Sequence, residues 1–469
     1  MISRRAIFGL PFALQSQTRR RLNVIVFMTD DHGAWATGAY GCAELHTPNI
    51  DALAKGGAKF TRAFACTPVC SPSRMTYMTG CVPSVHGVQD WLRPEDSFGA
   101  AAKGWLDGLT IFPEVMARNG YRCGMVGKWH MGHDETAQRG FTYWATVPGG
   151  GGTFKNPTFV RNGTTEKREG FKEDSIGDFA LEFLGQQSAD TPFYLHVPFY
   201  APHTPFDFQP DEDRKHYDNA AYSCFPDTAK HPNQNRGLGA HHGNRASMKS
   251  YMSLISGADR NIGRILRLLE QKGWRDNTLV VFTADQGWNA GHHGVWGKGN
   301  GTWPFNMYEE SIRVPMIWNH PAAIAPGQTV TAMVSSYDLF PTMLDYTGLA
   351  APADPRRVGR SYAAFLRGRK PRWEEKLFFE YSYSRGMRTP TRKLILRAEG
   401  FVNEFYDLEK DPGETANRID DPAYAREIAA MRGEMEKWFA KAGAPKLDAW
   451  RGTTKQNLTP YGPYPNDKK

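Results

Sequence analysis

The chain has 469 residues, of which 40% are hydrophobic, 13% aromatic and 23% charged, with a formal net charge of +8. That length exceeds what one small core can use, so a large domain with a smaller one is expected. No apolar run approaches the roughly 20 residues that span a bilayer. Five of the positive charges, on Arg4, Arg5, Arg19, Arg20 and Arg21, precede residue 22 with no acid among them. The remaining body is nearly balanced and carries no basic stripe, which argues against nucleic acid as a partner.

Ser3-Arg4-Arg5-Ala6-Ile7-Phe8, followed by a short apolar stretch to Leu14, resembles a twin-arginine export signal. Residues 1–21 are therefore expected to be a leader that directs the protein to a bacterial periplasm or outside the cell. Residues 22–28 form a continuous apolar run, the pattern of a central parallel strand buried on both faces. Thr47-Pro48 opens a helix to Lys55, which Gly56-Gly57 stops. Helix and strand then alternate: a helix over 109–118, a strand over 121–126, a helix over 175–184 and a strand over 192–198. A long amphipathic helix over 247–272 precedes a strand over 278–283 and a buried run over 314–318. Short strands are expected at 377–381, 393–396 and 403–406, and a closing helix at 424–439. The alternation predicts an α/β fold, a large mostly parallel sheet sandwiched by helices, with ligands collecting at the carboxyl ends of the strands. Residues 205–245 are rich in Pro, His, Asn and Asp and read as a functional insertion. A Pro-rich boundary near residue 351 divides a catalytic domain, 22–350, from a smaller α+β subdomain, 351–469.

Two acidic turns follow buried strands. Asp30-Asp31 ends the first, and Asp285-Gln286 ends the run Val280-Val281-Phe282-Thr283. Alone, each turn reads equally as a helix cap or a loop tip. Together, three carboxylates and an amide oxygen make an all-oxygen set suited to a hard divalent cation, calcium first and magnesium second.

Between them lies Cys70-Ser71-Pro72-Ser73-Arg74, leading into Met75-Thr76-Tyr77-Met78-Thr79-Gly80. This segment resembles the signature of type I sulfatases, members of the alkaline phosphatase superfamily. Further matches come in that family's order: Gly127-Lys128-Trp129-His130, Ala201-Pro202-His203-Thr204-Pro205, and Gly297-Lys298-Gly299 leading to Tyr308-Glu309-Glu310-Ser311. The resemblance extends over residues 22–440. It implies that a formylglycine-generating enzyme converts Cys70 to formylglycine, whose hydrate supplies the nucleophile. It implies Asp30, Asp31, Asp285, Gln286 and modified Cys70 as cation ligands, and Lys128, Lys298 and Arg74 as counter-charges to the sulfate. His203 faces the leaving-group oxygen, His130 assists regeneration of the aldehyde, and Asp285 is the proton acceptor. The connection between Lys298 and Tyr308 is longer than the family's usual short one.

The activity implied is sulfuric ester hydrolysis, with a sulfated small molecule, oligosaccharide or polysaccharide as substrate. Phosphonate monoester or phosphodiester hydrolysis on the same fold is the first alternative, and a non-catalytic carbohydrate-binding protein the second. Substrate specificity is expected from residues 205–245, Gln89-Asp90-Trp91, the glycines at 149–152 and the small domain, with Trp91, Trp288, Trp296 and Trp303 as candidates for stacking on sugar rings. His292 or His293 is a further candidate for the pocket wall, with a solvated loop position as the other reading. Six cysteines without a CxxC spacing argue against a cysteine zinc site.

Overall fold

A computed structural model describes residues 21–398, 400–442, 445–455 and 458. Apart from Arg21 the expected leader lies outside them. Strands β1 (Asn23–Thr29) and β2 (Ala58–Phe60) flank helix α1 (Pro48–Lys55), and helix α2 (Cys70–Thr79) follows. Helix α3 (Phe112–Arg118) leads to β3 (Arg122–Gly127), β4 (Phe141–Thr146), β5 (Thr158–Arg161) and β6 (Thr164–Lys167). Helix α4 (Lys172–Gly185), β7 (Phe193–Pro198), α5 (Arg245–Gln271), β8 (Thr278–Ala284), β9 (Met316–Asn319), β10 (Gln328–Val330) and α6 (Leu339–Thr347) complete the large unit.

Among the described residues ten strands form one sheet, in the order β10-β2-β9-β8-β1-β7-β3-β4-β5-β6. Its centre, β8-β1-β7-β3-β4, is parallel throughout. Every residue of β1 is buried, because alternate side chains enter different cores: Val24, Val26 and Met28 join one apolar cluster, Ile25 and Phe27 the other. Helices α2, α3 and α6 cover the first face, and α1, α4 and α5 the second. Strands β11 (Leu377–Tyr381), β12 (Ser384–Arg388), β13 (Arg392–Arg397) and β14 (Glu404–Asp407) form a separate antiparallel sheet. Helix α7 (Ala425–Ala442) closes one face of it with Ile428, Met431, Met435 and Phe439, one apolar stripe at helical spacing. Residues Phe379, Tyr381 and Ile395 on the other face join the main core.

The helix expected over 109–118 begins only at Phe112, after an extended Ile111. The helix expected over 175–184 begins a turn earlier, at Lys172. The run 314–318 is broken at Pro315 into two strands, and β9 pairs antiparallel with β8, so the parallel order ends there. The hairpins β5-β6 and β11-β12 contain strands that periodicity did not mark. Residues 205–245 hold only short helical turns and are tied to the body by a Cys42–Cys224 disulfide; Cys66, Cys70, Cys81 and Cys123 are free thiols. No helix among the described residues is long and apolar enough to cross a membrane.

Candidate active site

The five parallel strands end on one side of the sheet and deliver Asp30-Asp31, Lys128 to His130, residues 149–151, His203 and Asp285-Gln286 to one place. Backbone bonds lace these ends together. Asp30 N–H donates to Ala201 O at 3.0 Å, Asp285 N–H to Thr29 O at 3.0 Å, and Lys128 N–H to Pro198 O at 2.8 Å. Asp31 and His130 lie in the left-handed region, at φ +62° and +58°. For residues other than glycine that conformation persists only where the surroundings hold it, and it concentrates at functional sites.

Cys70 is the first residue of α2, a helix buried along its whole length. Ser73, Arg74 and Tyr77 bind that helix to the end of β8: the Ser73 hydroxyl donates to Asp285 O and the Tyr77 hydroxyl to Ala284 O at 2.9 Å. Arg74 Nη2 lies 2.7 Å from Asp285 Oδ2 and 3.2 Å from Asp30 Oδ2, and its Nη1 donates to Lys128 O at 2.6 Å. One guanidinium therefore joins three strand ends to the helix that carries Cys70.

Lys128 pairs with Asp30, and Lys298 Nζ lies 2.5 Å from Asp31 Oδ1. The long connection after Lys298 folds back on itself, with Asn306 Nδ2 donating to the carbonyls of Lys298 and Gly299, so the extra residues leave the ammonium in the site. Three carboxylates thus face three cations out of water. Burial and the neighbouring Asp30 push the Asp285 carboxyl up to about 7, while Asp31 holds the buried Lys298 ammonium well above its ordinary range. Burial also raises the Cys70 thiol, which keeps an unmodified Cys70 protonated and a weak nucleophile.

The two histidines differ in which nitrogen is committed. His130 Nε2–H donates to Leu92 O at 2.8 Å, which leaves Nδ1 buried without a hydrogen-bond partner. Burial and Lys128 hold this ring well below the usual histidine range, so Nδ1 is a free lone pair. His203 donates from Nδ1 to Thr204 O and turns Nε2 toward Asp31 Oδ2, 3.7 Å away. Burial and Lys128 push it down to about 3.

A divalent cation fits this donor set. Ligand atoms of Asp30, Asp31 and His203 lie within 4.8 Å of one another. Gln286 places its amide beside both aspartates, and its Oε1 is fully buried without a hydrogen-bond partner. The amide's two ends are interchangeable in shape, so a rotation brings that oxygen to the carboxylates.

Cys70, Lys128, His130, His203, Lys298 and Asp31 border one cavity of about 320 Å³. The model for the family described as "Sulfatase" matches residues 22–349. The chain belongs to the sulfatase family. It is a sulfuric ester hydrolase, and a second model, described as "N-sulphoglucosamine sulphohydrolase, C-terminal", matches residues 291–441. This sulfatase is 26% identical to an N-acetylglucosamine-6-O-sulfatase of Bacteroides thetaiotaomicron, over 91% of the chain and 88% of the relative. It is 28% identical to the steryl-sulfatase of Homo sapiens, over 78% and 73%. Among solved structures, a protein in complex with its substrate D-glucosamine-2-N,6-O-disulfate superposes with a TM-score of 0.76 at 25% identity, covering 90% of this chain and 98% of the other. The phosphonate monoester hydrolase of Agrobacterium radiobacter shares the fold, with a TM-score of 0.70 at 23% identity over 90% and 96%.

Several parts of this sulfatase's site are absent from the sequence reading. Lys172 is buried; its Nζ donates to Gly151 O and Gly152 O at 3.2 and 3.0 Å and lies 3.7 Å from the centre of the Tyr200 ring. The adjoining Glu173 accepts from Ala201 N–H at 2.9 Å, at the turn that presents His203. Burial pushes the Lys172 ammonium down and the Glu173 carboxyl up. The available signal is a lysine as the first residue of a helix, where the dipole disfavours a cation. Asp134 accepts from His130 N–H and steadies its left-handed turn. Of the expected specificity residues, Trp91, Trp288 and the glycines at 149–151 border the cavity, joined by Asn235 and Leu238 from the insertion. Trp296 is fully buried, and Trp303 packs on Phe305 and Phe401. Neither His292 nor His293 reaches the cavity: His292 bonds Asn289 O, and His293 stacks on Tyr308 and bonds Glu310.

Proposed function

We propose that the protein removes sulfate from a sulfated carbohydrate, using a Cys70 that a formylglycine-generating enzyme has oxidised and one divalent cation, calcium first and magnesium second. The observation that carries this reading is the position of Cys70, at the start of a buried helix and on the wall of a cavity it shares with Lys128, Lys298, His130 and His203. The carbohydrate class is supported by relatives named for sulfated sugars. Asp30, Asp31, Asp285, Gln286 and the modified Cys70 would hold the cation, which when bound offsets the charge of the sulfate as a Lewis acid. Formylglycine, once hydrated, supplies one hydroxyl to attack sulfur and a second with which sulfate is later expelled.

The remaining work falls to side chains. Lys128 and Lys298 bind the sulfate oxygens, and Arg74 keeps Asp30 and Asp285 in register. Asp285 accepts the proton of the attacking hydroxyl. His203 protonates the departing alcohol oxygen from Nε2, because its Nδ1–H is committed to Thr204; burial and Lys128 depress the ring, and the arriving anion offsets the Lys128 part. His130 takes the last proton at Nδ1, the nitrogen left without a partner. Export through the twin-arginine-like leader is part of the same proposal, and the Cys42–Cys224 disulfide fits an oxidising compartment.

The test compares an aryl sulfate with an aryl phosphodiester, before chelation, after it, and after return of calcium or magnesium. The reading predicts faster sulfate release, lost on chelation and best restored by calcium. Faster phosphodiester turnover would favour the first alternative, and activity untouched by chelation would remove the cation from the account.

A further inference from the structure

We infer that the substrate carries no anionic group besides the sulfate that is cleaved: the moiety bearing it is an uncharged, ring-sized unit, a neutral sugar. This rests on the sulfatase reading above and concerns the rest of the wall of the same cavity. Among the described residues, Lys128 and Lys298 are the lysines that border it, Asp31 is its carboxylate, and these are the groups already assigned to the cation and the sulfate. The remaining wall, which includes Trp91, residues 149–151, Asn235, Leu238 and Trp288, has no Lys, Arg, Asp or Glu side chain among the described residues.

Among the described residues, the cations near that wall do not border the cavity, including Lys230, whose Nζ lies beside Gly239. Arg93 is engaged by Glu95 at 3.4 Å and Asp96 at 2.9 Å. Lys172 sits behind the glycine loop with its Nζ on the carbonyls of Gly151 and Gly152. Arg236 follows Asn235 but is exposed and does not border the cavity. A second sulfate or a carboxylate pressed against this wall would lose water without gaining a counter-charge, the unfavourable case for any buried ion.

The same wall suits a neutral sugar. Trp288 is 2% exposed and its indole N–H is buried without an acceptor, a donor that a sugar hydroxyl can satisfy. The Trp91 indole, Leu238 and the Asn235 amide supply apolar and hydrogen-bonding surface for a pyranose, in a cavity of about 320 Å³.

The test measures turnover by the full chain carrying modified Cys70 on matched pairs of sugars, covering each ring position: a monosulfate of a neutral sugar against the same ester with a second sulfate or a uronate carboxylate. One such pair is N-acetylglucosamine 6-sulfate and D-glucosamine-2-N,6-O-disulfate. The expected result is a kcat/KM roughly tenfold or more higher for the monoanion, the factor that each 1.4 kcal/mol supplies. Leu238→Arg, which adds a cation to the wall, should narrow or reverse that ratio. Equal or faster turnover of the dianions, or a ratio unmoved by Leu238→Arg, would overturn the inference. Release of sulfate from none of the esters would overturn the sulfatase reading beneath it.

Discussion

Arg74 and Asp285, 211 residues apart in the chain, meet through one charge-assisted hydrogen bond, Nε to Oδ2 at 2.8 Å, and one ion-pair contact, Nη2 to Oδ2 at 2.7 Å, with both side chains out of water. The contact fixes the helix that begins at Cys70 against the acidic turn after β8. Removing the guanidinium would take the paired cation from the buried Asp285 and leave Asp30 to Lys128. Arg74→Met should therefore abolish turnover and lower unfolding free energy by about 3–5 kcal/mol. Arg74→Lys should keep part of the stability and little of the activity, because an ammonium cannot reproduce the fork. Urea unfolding beside steady-state rates checks both.

Lys172 touches neither Cys70 nor any group proposed to bind sulfate, yet it holds the glycine loop and the Tyr200 face together. Lys172→Met should raise KM by roughly tenfold with a smaller change in kcat, since it loosens a wall and not the reacting groups. Lys172→Arg should recover part of the loss. A fall in kcat alone would contradict a positioning role.

Gly150 sits at φ +65°, and a Cβ there would strike the His130 ring. Gly150→Ala should displace His130 and lower kcat by about 10²-fold, the scale of a 1 Å misplacement. Its unfolding midpoint should move far less. Unchanged kcat would separate the loop from the chemistry.

Glu310 anchors the short helix that follows Tyr308. Burial alone would raise its carboxyl, but the bond from His293 Nε2 at 2.7 Å holds it at about 2. Because the folded value lies below the unfolded one, this stability is present above the ordinary carboxylate range and disappears as pH falls through about 2. With the side chain 24% exposed, Glu310→Gln should cost about 1–3 kcal/mol at pH 5.5. The difference from the parent should shrink steadily between pH 4.5 and 2, measured by denaturant unfolding. A difference independent of pH would contradict the ion pair.

What could be read in the sequence follows the physics of each signal. Residues 22–28 and 278–283 were legible because a strand buried on both faces must be apolar throughout, and Asp30 and Asp285 because carboxylates after such strands demand an explanation. The antiparallel β9 was not, since an apolar run carries no direction. Lys172 was missed because its role depends on burial against a loop 20 residues earlier, and buried charge looks like surface charge in a sequence. Lys298 was doubtful by spacing alone; the fold of the connection to Tyr308 decides where its ammonium goes.

The central claim is that Cys70 works as formylglycine in sulfate-ester hydrolysis. It is tested most directly by peptide mass spectrometry of active protein, with turnover measured on the same preparation and on Cys70→Ala. The account predicts that the peptide containing Cys70 has lost sulfur and two hydrogens and gained one oxygen, that activity scales with the converted fraction, and that Cys70→Ala folds but does not turn over. Full activity from unconverted Cys70, or from Cys70→Ala, would contradict it.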